Sequence, residues 1–238
     1  MKTAILSEEI YEKLDVFCGT YINKQCIVRC APGVTMPGKI PGTTYTWQFY
    51  MRRGLFNNSF AYAISLLFLH KIEKEIGHFN FQLAGLETAS TPMLTMFSLV
   101  AKMKYDIDIN AFSIRKNRKE YGILNWIEGI PNEKSVMIID DLCNSTNSLK
   151  KAYDICLEEG LTPFDHAYAI VNKVNRDSNY NTDKYLSENI KVLYQYDLDD
   201  FDLKLNPNMI KVIDEEEETK DELDFMYIRN FNPFQARR

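Results

Sequence analysis

Two aspartates stand side by side at positions 140 and 141, where the apolar run VMIID ends, and after Leu142 and Cys143 come five residues that are all Asn, Ser or Thr. Ionised carboxylates only accept hydrogen bonds, so an adjacent pair suits either two hydroxyls or a hard cation such as magnesium. The loop NSTNS (144–148) leads into a helical pattern. Free N–H groups at a helix start, together with the positive end of the helix dipole, favour an anion there. Asn144, Ser145, Thr146 and Ser148 add side-chain donors. The acids would repel a phosphate, so acids and loop must address different parts of one ligand. A sugar phosphate has both parts: hydroxyls, or a magnesium ion bridging them, beside a phosphate. Capping of the following helix is the plainer use of Asn, Ser and Thr, and for the loop alone the two readings stand level.

A second group of chemical interest is the basic cluster Arg115, Lys116, Arg118 and Lys119. Its small size fits a small polyanion better than a nucleic-acid duplex. The five cysteines are odd in number and unevenly spread, which fits free thiols in a reducing compartment rather than a disulfide framework. Cys18, Cys26 and Cys30 lack a fourth zinc ligand nearby and the spacing of a finger or ribbon. His70, His78 and His166 are scattered with neither nucleophile nor metal partner in view, and Trp126 reads as a packing residue.

These residues need a frame, and the hydropathy pattern supplies one. Short apolar runs at 81–85, 109–114, 136–140, 167–171 and 190–196 read as strands. Helical patterns at about 58–76, 91–104 and 146–159 alternate with them, the last closing at Gly160, where a C-cap glycine belongs. Such alternation specifies a parallel sheet covered by helices, whose ligands bind at the carboxyl ends of the strands. The N-terminal stretch begins as a helix and continues through the Pro- and Gly-rich APGVTMPGKIPGTTY, which reads as a separate cap over the sheet. After about residue 197 the pattern dissolves into DLDDFDLKL and the acidic DEEEETKDE, a solvated arm without the spacing of a calcium loop.

Composition narrows the classes. With 45% hydrophobic and 26% charged residues over 238 positions, the chain is ordinary globular material large enough for a sizeable core. Its net charge of -5 gives no general attraction to nucleic acid or to an anionic membrane. No secretory signal is visible, and the apolar stretch FAYAISLLFL is ten residues, about half what a bilayer requires. A cytoplasmic protein is expected.

The string VMII, DD, LC, NSTNS resembles the ribose-5-phosphate loop of the type I phosphoribosyltransferases, in which four apolar residues and two acids precede two apolar residues and a Thr/Gly-rich loop. LAGLETASTP (83–92) resembles the same family's pyrophosphate loop. FSIRKNRKEYGILNWIEG (112–129) resembles the segment of orotate phosphoribosyltransferases where an Arg-Lys pair precedes a mobile loop with a catalytic lysine, and FYMRRGLFNN (49–58) their passage from hood to core. The likeness spans roughly residues 35–175, with the loops in the family's order.

The resemblance implies a Rossmann-like parallel sheet flanked by helices, the type I phosphoribosyltransferase fold, with a hood over 1–57, a core over 58–196 and an acidic extension over 197–238. It implies magnesium-dependent transfer of phosphoribose from phosphoribosyl pyrophosphate to a nitrogenous base, orotate or a related acceptor. A purine or nicotinamide-like base, or a relative that senses donor or nucleotide without turnover, are its alternatives. Asp140 and Asp141 would hold the ribose hydroxyls and the metal, and Asn144, Ser145, Thr146, Asn147 and Ser148 the 5-phosphate. Thr146 stands where the family has a glycine, so Asn147 is expected to take up the left-handed geometry. Glu87, Thr88, Ala89 and Ser90 would wrap the pyrophosphate, helped by Arg115 and Lys116, with Lys119 closing over it. Tyr121 occupies the place of the family's proton-transferring histidine, and Lys173 that of the arginine that meets the acceptor. A homodimer is implied, with the mobile loop of one subunit over its neighbour's site.

Overall fold

The structure, a computed structural model, describes residues 5–37, 44–118, 125–143, 146–173, 190–201 and 203. In chain order the helices are α1 (Glu8–Tyr21), α2 (Arg52–Leu55), α3 (Asn58–Glu75), α4 (Thr91–Tyr105) and α5 (Asn147–Glu158). The strands are β1 (Ile27–Arg29), β2 (Met36–Pro37), β3 (Thr44–Tyr45), β4 (Trp47–Phe49), β5 (Gln82–Leu86), β6 (Ala111–Ile114), β7 (Ile127–Glu128), β8 (Val136–Cys143), β9 (His166–Asn172) and β10 (Lys191–Asp197).

Six strands form one sheet in the order β10-β9-β8-β5-β6-β7, all parallel except the short β7, which turns back antiparallel on β6. The parallel sheet expected from the alternation is present, and β7 is an addition: two residues are too few for a period-2 signal. From β5 the chain first moves outward to β6, then crosses back to lay β8 on the other side of β5. The β5/β8 boundary is therefore the point where the direction of winding reverses, the place where open α/β sheets bind ligands.

Local chemistry explains the helices. Asn57 caps α3 by accepting the Phe60 N–H at 3.1 Å, and Ser7 caps α1 by accepting that of Ile10 at 3.4 Å. α3 is apolar almost all round, and it is buried accordingly among α1, α4 and the sheet. α5 stops at Gly160, whose φ of 74° is free to a residue without Cβ, and the Leu161 N–H returns to the Cys156 carbonyl at 2.8 Å.

Over one end of the sheet lies the hood. β1 and β4 pair antiparallel, with Ile27 opposite Phe49 and Arg29 opposite Trp47. α1 is tied to β10 by the Tyr196 hydroxyl, which donates to the Asp15 carbonyl at 2.9 Å. Phe201, left by the sequence reading in the acidic extension, is buried edge-on against Phe49 and beside Tyr196, so the chain after β10 helps join hood to sheet. No helix among the described residues is long and apolar enough to cross a membrane.

β5 can approach β8 and the start of α4 because residue 85 is glycine. A Cβ there would lie 2.4 Å from the Ile139 carbonyl oxygen and 2.6 Å from the Ser90 side chain. Gly85→Ala must therefore push β5 away from β8, and urea melts should show a loss of about 1–3 kcal/mol, the usual cost of overpacking. An unchanged midpoint would mean that the strands have slack at this point.

Candidate functional site

The acid pair does not stand at a strand tip. β8 continues through Asp140 and Asp141 to Cys143, pairing with β9 all the way, as Asp140 with Ala169 and Cys143 with Asn172. Its pairing with β5 ends at Ile138. Gly85 and Leu86 continue β5 alongside β6 alone before the loop 87–90, and from Ile139 onward β8 has no ladder partner on this flank. Periodicity could not foresee this, because two aspartates in a row break the apolar run that marks the strand.

Asp140 is 8% exposed and Asp141 half-buried. An Asp140 carboxylate oxygen accepts the Asp141 backbone N–H at 2.9 Å. Burial first, and the neighbouring carboxylate second, push Asp140 well above the ordinary range, and burial raises Asp141 too. Two cations act against this from opposite sides. Lys116 draws Asp140 down, and Arg52, from the hood side, draws Asp141 down.

Next along the chain, the geometry at α5 differs from expectation in one respect. Thr146, not Asn147, takes the left-handed conformation, at φ 52°; Asn147 is the first helical residue. A β-branched residue is uncommon there, and its Oγ1 is buried with no hydrogen-bond partner among the described residues. A helix start thus coincides with a buried hydroxyl that lacks an acceptor, and Asn147 and Ser148 are exposed beside it. Asn144 and Ser145 lie outside the described residues, as do Lys119 and Tyr121.

The loop Glu87–Ser90 follows β5. Ser90 is buried with its hydroxyl donating to the Leu86 carbonyl at 2.7 Å, Thr88 is exposed, and the Glu87–Thr88 peptide is cis. Lys116 joins this loop to its neighbours. Its N–H donates to the Glu87 carboxylate at 3.2 Å, and its carbonyl accepts from Lys151 Nζ of α5 at 2.5 Å. Arg115, expected beside the pyrophosphate loop, is instead paired with Glu128 of β7 at 2.6 Å. The antiparallel β7, unseen in the sequence, supplies that partner.

On the acceptor side, Lys173 is half-buried just after β9, with Nζ 5.2 Å from the Trp47 ring centroid, and burial lowers its pKa. Arg52 lies over Tyr50 at 5.3 Å. Trp47 and Arg52 were not singled out from the sequence, although the aromatic and basic alternation of YTWQFYMRR was a usable signal. The structure thus gathers Asp140, Asp141, Thr146, Asn147, Lys116 and the loop 87–90 at the reversal point, and brings Lys173 under the hood.

Comparison with known proteins then places this architecture. No protein-family model matches the chain, and no curated protein matches it in sequence. Solved structures do. Orotate phosphoribosyltransferase of Mycobacterium tuberculosis H37Rv, in complex with Fe(III) dicitrate, aligns over 80% of this chain and 99% of its own with a TM-score of 0.64 at 16% identity. The same enzyme in complex with 5-phospho-alpha-D-ribosyl 1-diphosphate aligns over 82% and 93% with a TM-score of 0.54 at 14% identity. Adenine phosphoribosyltransferase of Saccharomyces cerevisiae aligns over 76% and 99% with a TM-score of 0.53 at 14% identity. The chain has the type I phosphoribosyltransferase fold.

The acid pair yields a stability prediction whose sign is fixed by its shift. A carboxyl whose pKa rises on folding holds its proton more tightly in the folded state, so its charge costs stability as pH rises through the folded value, and costs nothing below the unfolded value of ~3.9. Asp140→Asn keeps the oxygen that accepts the Asp141 N–H and removes the charge. The unliganded variant should be more stable at pH 7 by on the order of 1 kcal/mol, or ~2–4 °C in melting temperature, with the advantage vanishing near pH 4. A variant less stable than wild type at pH 7 would show that the carboxylate is stabilised by its surroundings rather than strained by them.

Proposed function

We propose that the protein transfers the phosphoribosyl group of phosphoribosyl pyrophosphate to a nitrogenous base, orotate or a related planar acceptor, and releases pyrophosphate. The observation that carries this reading is the coincidence, at the reversal point of the sheet, of the acid pair with the start of α5 and a buried Thr146 hydroxyl that has no hydrogen-bond partner among the described residues. A phosphorylated ribose presents the two matching groups: vicinal hydroxyls for the carboxylates and a 5-phosphate for the loop 144–148. The solved relatives support the donor and the acceptor class, since one is bound to that donor and another acts on adenine.

Magnesium fits the acids. Burial and mutual repulsion disfavour ionisation of both carboxyls, and a divalent cation between them would relieve that cost by replacing their protons. Among the described residues no third ligating side chain joins them. Magnesium is held in just this way in phosphate enzymes, by one or two carboxylates with substrate oxygens and water completing its shell. When bound, it would add positive charge beside the donor's hydroxyls and pyrophosphate.

The remaining work falls to the chain. As the bond from the anomeric carbon to pyrophosphate oxygen breaks, the sugar becomes positive and the leaving group negative, and the acceptor nitrogen's lone pair forms the new bond. The Asp140 and Asp141 carboxylates lie on the side of the developing sugar cation. Backbone N–H groups of Thr88 and Ala89, with the Lys116 ammonium, address the leaving oxygens. Lys119, by the resemblance, closes over them and excludes water, with Tyr121 nearby to hold or give up a proton. The Trp47 face and the Lys173 and Arg52 cations bound the acceptor from the hood side, an arrangement suited to a planar anionic ring. Leu99 and Met103, exposed one turn apart on α4, support assembly as a homodimer.

A second reading, recognition of donor or nucleotide without turnover, is favoured by one observation: Thr146 puts a β-branched residue where the phosphate loop must bend left-handed. Pyrophosphate release, measured with donor and magnesium against pyrimidine carboxylates, purines and nicotinamide-like rings, separates the two. Release with a planar anionic base is expected; a donor-dependent rise in melting temperature without release from any base would establish the sensor, and neither effect would overturn both. Asp141→Asn should weaken donor binding by ~1.5–3 kcal/mol, the worth of a charged hydrogen bond, under either reading. Lys119→Ala should leave binding nearly intact and lower turnover sharply, because the charge it meets develops in the transition state.

A further inference from the structure

The loop that would wrap the donor's pyrophosphate carries an acid and no cation: between Leu86 and Pro92 its residues are Glu87, Thr88, Ala89, Ser90 and Thr91. A carboxylate is an unfavourable neighbour for a group of several negative charges, yet here it is held in place. Its oxygen accepts the Lys116 N–H at 3.2 Å. The positive charge of the same Lys116 also favours the ionised form of Asp140. From the opposite side Lys151 holds the Lys116 carbonyl at 2.5 Å. Lys116 thus links the loop after β5 and the first turns of α5, and a carboxylate takes the one N–H that it presents to the pyrophosphate loop.

We propose that Glu87 is a built-in competitor of the donor's pyrophosphate: its carboxylate occupies, in the unliganded protein, an N–H donor that the pyrophosphate oxygens would otherwise take. The inference rests on the donor-site reading above and adds a specificity-determining residue to it. One consequence follows from charge alone. Ligands with a pyrophosphate must displace the carboxylate and bear its repulsion, whereas a sugar monophosphate, which addresses only the acid pair and α5, does neither.

The test compares two probes, inorganic pyrophosphate and ribose 5-phosphate, by calorimetric titration at fixed magnesium on the full chain. In Glu87→Gln the affinity for pyrophosphate should rise by about tenfold at low salt, and the gain should shrink as ionic strength rises, while ribose 5-phosphate binds as in wild type. Glu87→Gln removes the charge but keeps an oxygen that can still accept the Lys116 N–H, so Glu87→Ala, which frees that N–H as well, should show a gain at least as large; thermal melts confirm that both variants are folded. Pyrophosphate binding that is unchanged or weaker in both variants, with ribose 5-phosphate still bound, would overturn the role of Glu87 and leave the donor site standing. If neither probe binds wild type or either variant, the donor-site reading falls, and the competitor role with it.

Discussion

Everything at this site depends on where β5 leaves β8. A parallel strand pair is held by its ladder of N–H and carbonyl groups, and here the ladder between these two strands closes at Ala84 and Ile138 while β8 runs on beside β9. The residues beyond Ile138 therefore have one neighbour instead of two. Asp140 and Asp141 can be both strand residues and ligand-facing groups only because of this half-open position. A strand paired on both flanks would have buried their charge without recourse, and a loop would not have held two adjacent carboxylates in fixed relation. Gly85 is part of the same device, since its missing Cβ is what lets β5 come close to Ile139 before turning away.

The electrostatics follow from that geometry. Two acids pressed together in a partly dry place resist ionisation, and the fold offsets this with cations brought from distant parts of the chain: Lys116 from the end of β6 and Arg52 from the hood. Neither forms a close ion pair with the acids, so the negative potential remains available to a ligand. Stability is given up at this point in favour of binding, while the large aromatic core around Phe68, Phe97 and Tyr168 holds the sheet in register.

Charge is placed differently at the three loops. The acid pair invites hydroxyls and a metal, the start of α5 invites a phosphate, and the loop after β5 presents Glu87 where an anion is expected. Lys116 joins the loop after β5 to α5 through one backbone N–H and one carbonyl, and its charge favours ionisation of Asp140. Arg115 beside it is ion-paired with Glu128 of β7, a partner that the sequence pattern did not reveal.

The amino-acid sequence by itself determined the alternation of strands and helices, the C-cap at Gly160, and the acid pair followed by a polar loop. Each is a local signal: hydropathy period, backbone preference or the chemistry of neighbouring side chains decides it. Tertiary structure alone decided the rest. That β8 runs through its aspartates depends on β9 lying alongside. That Thr146 rather than Asn147 turns left-handed depends on where α5 packs, since local propensity favours the asparagine. That Trp47 faces Lys173 and Phe201 closes against Phe49 depends on the hood folding over strands more than a hundred residues away in sequence. Contacts across such separations leave no periodic trace in the chain, because they are selected by the shape of the assembled core and not by the residues on either side.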